Sequence, residues 1–217
     1  MSEERRKTHW ETVYTTKGEN EVSWFQDSPA LSLELIDLVR PAHDGTIVDI
    51  GGGASRLVDH LLARGFERVT VLDISQAALG VAKARLGKGA SKVQWIAADV
   101  TKWRPVQTFD IWHDRAAFHF LVDVADRAAY IARLKQAVAP GGHVIIGTFA
   151  IDGPEKCSGL PVNRYDAARL SEELGKGFAL IHARRHDHTT PWKSEQRFQF
   201  CVFRRTREDE VEGKPAS

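Results

Sequence analysis

Apolar residues fall along this chain in two alternating rhythms. Short unbroken runs predict buried strands at Thr46–Asp49, Arg68–Asp73, Val93–Ala98, Phe109–Asp114 and His143–Ala150. Between them, helical spacing predicts helices over Ser55–Ala63, Gln76–Leu86 and Asp126–Val138, the last broken by Pro140-Gly141-Gly142. Such alternation is the pattern of an α/β fold with a parallel sheet. Asp166–Leu174 predicts a further short helix, and Phe178–Arg185 and Gln196–Arg204 two closing strands joined by HDHTTPWKSE, long enough for an antiparallel hairpin. Ahead of the series, residues 4–17 read as a helix with Trp10 and Tyr14 on one face, and Ala30–Arg40 as a second that stops before Pro41.

The most informative junction is IVDIGGGASRL, Ile47–Leu57, where an apolar strand meets a glycine turn and then a helix. Gly51, Gly52 and Gly53 let the backbone turn sharply and approach a ligand. A dinucleotide turn, G-x-G-x-x-G, would need glycine where this chain has Arg56, and an apolar residue where it has Asp49. NAD is therefore the poorer fit. Two further strand ends carry carboxylates. Asp73 closes VTVLDI 20 residues after Gly53, where an acidic group can accept hydrogen bonds from ribose hydroxyls, and Asp99 closes VQWIAADV just before Val100. Each aspartate alone reads equally as a helix cap or a turn residue. Three in register after three strands favour a shared ligand.

The pattern D-x-G-x-G-x-[GS], met by Asp49–Ser55, resembles the cofactor motif of the class I S-adenosylmethionine-dependent methyltransferases. The resemblance implies a doubly wound, seven-stranded, mostly parallel sheet with an antiparallel last strand. It implies S-adenosylmethionine as cofactor, held by Asp49, Gly51, Gly53 and Ser55 at the turn, by Asp73 and Ile74 at the ribose, and by Asp99 and Val100 at the adenine. DRAAF at 114–118, DRAAY at 126–130, Trp10 and the Trp24-Phe25 pair are also similar to thiopurine S-methyltransferase-like enzymes, which implies a small nucleophile such as a thiol.

Composition narrows the picture. The 217 residues suit one domain, expected over 1–205 with an amino-terminal helical segment at 1–41, a sheet core at 46–205 and a frayed tail at 206–217. Lys and Arg total 30 against 29 Asp and Glu, so no overall positive field draws nucleic acid or an anionic membrane. The charged start MSEERRKTHW is no secretory signal, no apolar run is long enough to span a bilayer, and Cys157 and Cys201 form no metal or disulfide spacing. A cytoplasmic enzyme with a small-molecule acceptor is the expectation.

In open α/β sheets ligands bind beyond the carboxyl ends of the strands. After the fourth strand, HDRAAFHF supplies Asp114, Arg115 and His119 as candidates to align the acceptor or take its proton. Asp114 equally reads as a partner of Arg115 or a cap, and His119 as a core histidine. Trp24 and Phe25 either fill the gap between the first helices and the sheet or form a lid whose rings face a sulfonium. His186, His188 and Trp192, placed in the last hairpin loop, are candidate substrate walls, with His186 and Trp192 preferred and no metal expected. A protein-lysine methyltransferase of the same fold and a non-catalytic cofactor-binding module are the alternatives.

Overall fold

The computed structural model describes residues 1–39 and 45–206. Arg40, Pro41 and the tail from Arg207 lie outside the described residues, so the expected stop at Pro41 and most of the tail expected to fray fall there. Seven strands form one sheet: β1 (Thr46–Ile50), β2 (Arg68–Asp73), β3 (Val93–Ala97), β4 (Phe109–Arg115), β5 (Val138–Phe149), β6 (Phe178–Thr189) and β7 (Glu195–Arg205). Their spatial order is β3-β2-β1-β4-β5-β7-β6. The five first strands are parallel, and β7 runs antiparallel to both β5 and β6. This is the expected doubly wound sheet.

The helices are α1 (Glu3–Thr16), α2 (Ala30–Leu38), α3 (Leu57–Ala63), α4 (Gln76–Leu86), α5 (Val124–Ala137) and α6 (Ala167–Leu174). Period-two alternation divides the core between the sheet's two faces. Ile47 packs with Leu35, Ile36, Leu57, Leu61 and Leu79 of α2, α3 and α4, whereas its neighbour Val48 packs with Tyr130, Leu134, Leu170 and Leu174 of α5 and α6. Among the described residues no helix is long and apolar enough to cross a membrane.

Two local differences from the predicted elements have physical causes. β5 starts at Val138, before the Pro140-Gly141-Gly142 break, because Val138 pairs with Phe109 and His143 with Ile111, leaving Ala139–Gly142 to bulge out against Asp110. β6 does not stop at Arg185. His186 pairs with Phe198 and His188 with Gln196, so both histidines belong to the strand and the loop shrinks to Thr190–Ser194. A polar edge strand carries no apolar run by which to recognise it.

The strand order reverses between β1 and β4, and the loops at their carboxyl ends open a crevice there. α1 lies across it.

Candidate cofactor and substrate site

At the crevice, the ends of β1, β2, β3 and β4 and the turn Phe118–Phe120 form the floor and walls of a cavity of about 110 Å³, open to solvent on one side. Its roof is α1. Arg6, Trp10 and Tyr14, spaced i, i+4 and i+8, all face inward. Trp10 stands edge-on to Trp24 at 5.6 Å and to Phe120 at 5.0 Å, and the Trp24 indole Nε1–H donates to the Tyr14 hydroxyl at 3.1 Å. These rings give the cavity an aromatic wall. Phe25 diverges from Trp24, lies 5.4 Å below the Arg56 guanidinium and lines a neighbouring cleft with Ala54, Ser55 and Arg56.

The glycine turn is built around carboxylates. A Cβ on Gly53, whose φ is +34°, would stand 2.7 Å from Asp73 Oδ2, and a Cβ on Gly52 would stand 2.5 Å from Asp49 Oδ2. Side chains at either position would push these acids out of place. Asp73 Oδ1 accepts from the Ser75 amide at 2.8 Å while the side chain borders the cavity. Burial raises the Asp73 carboxyl to about 7, with repulsion from Asp49 and Glu11 adding to it against hydrogen bonds from the Ser75 and Gly53 amides.

Asp49 does not border the cavity. It lies 2.7 Å from His113 Nδ1, and His113 Nε2 lies 2.9 Å from the Ser32 hydroxyl. With Nδ1–H donated to the carboxylate, Nε2 accepts from Ser32. The order of groups is that of a hydrolase triad, but Ser32 is 2 % exposed and does not line this cavity, so the three groups tie α2, β1 and β4 together beneath the turn.

Asp99 is engaged on both oxygens. Oδ2 accepts from Arg6 Nε at 3.0 Å and Nη2 at 2.7 Å, and Oδ1 accepts from the Thr101 amide at 2.8 Å and hydroxyl at 2.7 Å. Arg6 Nη1 also donates to Asp126 Oδ2 at 2.6 Å. Arg6 was not a candidate from sequence, although its place one turn before Trp10 on the inward face is a usable signal.

Of the residues expected to hold cofactor, Gly51, Asp73, Ile74, Asp99 and Val100 border the cavity, Ser55 borders the adjoining cleft, and Gly53 backs Asp73. The expected catalytic residues separate. Asp114 is fully buried and accepts from the Ala117 and Phe118 amides at 2.9 and 3.1 Å and from the Tyr130 hydroxyl at 2.7 Å, and burial raises it to about 6. His119 is also fully buried, packed against Phe120 and Phe149, with Nδ1 3.3 Å from the Phe149 amide that donates to it. Burial lowers it to about 3, so it stays neutral. Neither borders the cavity; Arg115 does. Of the expected substrate walls, Trp24 lines it, His186 on β6 packs near Phe200 of β7, and Trp192 is 57 % exposed in the hairpin turn. His188 instead donates Nε2–H to the Ser23 carbonyl at 2.7 Å, which fastens the segment before α2 to the sheet. Among the described residues no group of His, Cys, Asp and Glu is arranged to hold a metal.

A family model described as a methyltransferase domain matches residues 47–142, from β1 through the bulge of β5. The stretch from β1 to the start of β5 is thus similar to a methyltransferase domain. The domain is 33 % identical over 100 residues to nodulation protein S of Rhizobium fredii, covering 46 % of this chain and 56 % of that protein. Alignments to the nodulation proteins span about half the length of those relatives. A ubiquinone biosynthesis O-methyltransferase of Aromatoleum aromaticum is 28 % identical over 196 residues, covering 88 % of this chain and 74 % of that one. Among solved structures, the N-methyltransferase NodS from Bradyrhizobium japonicum WM9 in complex with S-adenosyl-L-homocysteine superposes with a TM-score of 0.69 at 18 % identity, over 95 % of this chain and 100 % of that one. The last likeness is one of fold.

Proposed function

We propose that this chain transfers a methyl group from S-adenosylmethionine to a small-molecule nucleophile held under α1. The observation that carries the reading is the Asp73 carboxylate, set beside a glycine turn at the end of β2 and facing a cavity walled by Trp10, Trp24 and Phe120. The lining suits the cofactor: Asp73 can accept the ribose hydroxyls, and aromatic faces favour a sulfonium over water. When bound, the cofactor supplies an activated methyl group. The chain's part is to align the acceptor with that methyl and keep water out.

Proton acceptance plays little part in this reading. Asp99 is committed to Arg6 and Thr101, Asp73 to the ribose, and burial lifts the Cys157 thiol to about 11. An acceptor that arrives ready to attack fits best: a neutral amine, an ionised oxygen, or a thiol that ionises easily. Nitrogen and oxygen are the acceptor atoms that the N-methyltransferase NodS and the ubiquinone biosynthesis O-methyltransferase are named for. The sulfur reading rests on the thiopurine-like motifs alone.

Calorimetric titration with S-adenosylmethionine and with NAD, followed by a methyl-transfer screen of small amines, phenols, thiols and protein extract, tests the proposal. Binding of the sulfonium without NAD and turnover on a small molecule are expected. Labelled protein bands would favour the lysine alternative, binding without any turnover the non-catalytic module, and no binding would overturn the reading.

Asp73 adds a pH signature. Ribose hydroxyls donate to its ionised form, so cofactor affinity is expected to rise with pH up to about 7 and level off above it. Without ligand the sign for stability is opposite: the contribution from neutral Asp73 is full below its ordinary value of 3.8 and is lost as pH rises through about 7. Asp73→Asn should flatten the affinity profile and weaken binding roughly 10- to 100-fold, as for lost hydrogen bonds to a charged group. A variant that keeps the wild-type profile would take Asp73 out of the site.

A further inference from the structure

Arg6 and Asp99 border the cavity just beyond the end of β3, and both are buried. A carboxylate oxygen offers about two acceptor positions. Oδ2 of Asp99 accepts from Arg6 Nε and Nη2 at 3.0 and 2.7 Å, and Oδ1 accepts from the Thr101 amide and hydroxyl at 2.8 and 2.7 Å. The guanidinium is equally occupied. Its Nη1 donates to the Met1 carbonyl at 2.9 Å and to Asp126 Oδ2 at 2.6 Å, and Nη2 also reaches the Thr101 hydroxyl at 3.5 Å. Arg6, Asp99 and Thr101 thus form a closed clasp, in which neither the carboxylate nor the guanidinium keeps a hydrogen-bonding position for a ligand.

The resemblance to class I methyltransferases implies that Asp99 meets the adenine, where a free carboxylate would accept from the exocyclic amine. In this chain the amine would first have to displace a guanidinium bond. Opening the clasp strands a buried charge on each side, whereas the ligand returns a single amine hydrogen bond, and the first effect is the larger. Around the clasp, Ile74, Ala98 and Val100 border the cavity with apolar side chains, which hold a ring by contact and are indifferent to its polar substituent. We infer that Arg6 withdraws Asp99 from the ligand, so that the chain binds the purine by its ring and does not read the amine. The inference rests on the methyltransferase reading given above and makes Arg6 a specificity-determining residue of that site.

The test is calorimetric titration of S-adenosylhomocysteine, and of its 6-deamino analogue in which hydrogen replaces the amine, into the full chain and into Arg6→Met. Wild type is expected to bind the two within about threefold, as for a group that gains no new partner. In Arg6→Met, Oδ2 of Asp99 is released and the amine finds a charged acceptor, so S-adenosylhomocysteine should bind about 10- to 100-fold more tightly than the analogue. A preference of that size already in wild type overturns the inference, since Asp99 then reads the amine despite Arg6. Equal binding of the two ligands by both proteins overturns it as well, because Arg6 is then not what sets the amine aside. Arg6→Lys, whose ammonium lacks the fork that fills both positions of Oδ2, serves if Arg6→Met does not fold, with a smaller preference of the same sign expected. Failure of wild type to bind either ligand overturns the methyltransferase reading instead.

Discussion

Asp114→Ala should destabilise the fold by about 3–5 kcal/mol, because several buried donors lose their acceptor at once and each unsatisfied group is worth about 1–3 kcal/mol. The donors are the Ala117 and Phe118 amides and the Tyr130 hydroxyl, and Tyr130 in turn accepts from Trp112 Nε1 at 2.8 Å. From sequence, the residue's place after β4 suggests a role in turnover. Its surroundings assign it to shaping the turn that carries Ala117 and Phe120 into the cavity wall. Urea unfolding should show the midpoint falling sharply, and Asp114→Asn, which keeps one acceptor oxygen, should lose less. A variant of wild-type stability with abolished turnover would restore the chemical role.

Arg6→Met is expected to be comparably damaging, about 3–5 kcal/mol, since removing one partner of a buried ion pair leaves the other uncompensated. Asp99 is 5 % exposed and would keep only its Thr101 donors, while Asp126 would lose its link to α1. Neutralising the stranded acid should recover part of the loss. The double variant Arg6→Met with Asp99→Asn should therefore be more stable than the sum of the single changes implies, by more than about 1 kcal/mol in a double-mutant cycle. Strict additivity would show that the pair contributes nothing specific.

These two residues mark the boundary of what is legible from the chain alone. β1 and β2 announce themselves because strands buried on both faces are continuous apolar runs, and a lone carboxylate at the end of such a run stands out. The glycine turn is equally visible, since nothing larger than glycine leaves room for Asp49 and Asp73. Partnerships across long separations are not. Asp49 reads as a ligand residue until His113, 64 positions away, is found on its carboxylate, and Asp99 reads as free until Arg6, 93 positions earlier, occupies it. His119 shows the converse: its alternation with Phe118 and Phe120 is compatible with exposure or burial, and only the packing of Phe149 decides. On β6 the polar His186 and His188 hide a strand continuation, because an edge strand is held by pairing with its neighbour more than by apolar side chains.

The Glu11 side chain of α1 reaches the first turn of α4, accepting from the Gln76 amide at 2.7 Å and from the Ser75 hydroxyl and Ala77 amide at 3.0 Å. Ser75 is also the residue whose amide donates to Asp73. Roof and ribose carboxylate thus grip the same short piece of backbone, so lifting α1 exposes two amides and disturbs the acid beneath them. Entry of a ligand and fraying of that helix start become one linked equilibrium, and hydrogen exchange at Gln76 and Ala77 offers a direct clock for how often the roof opens.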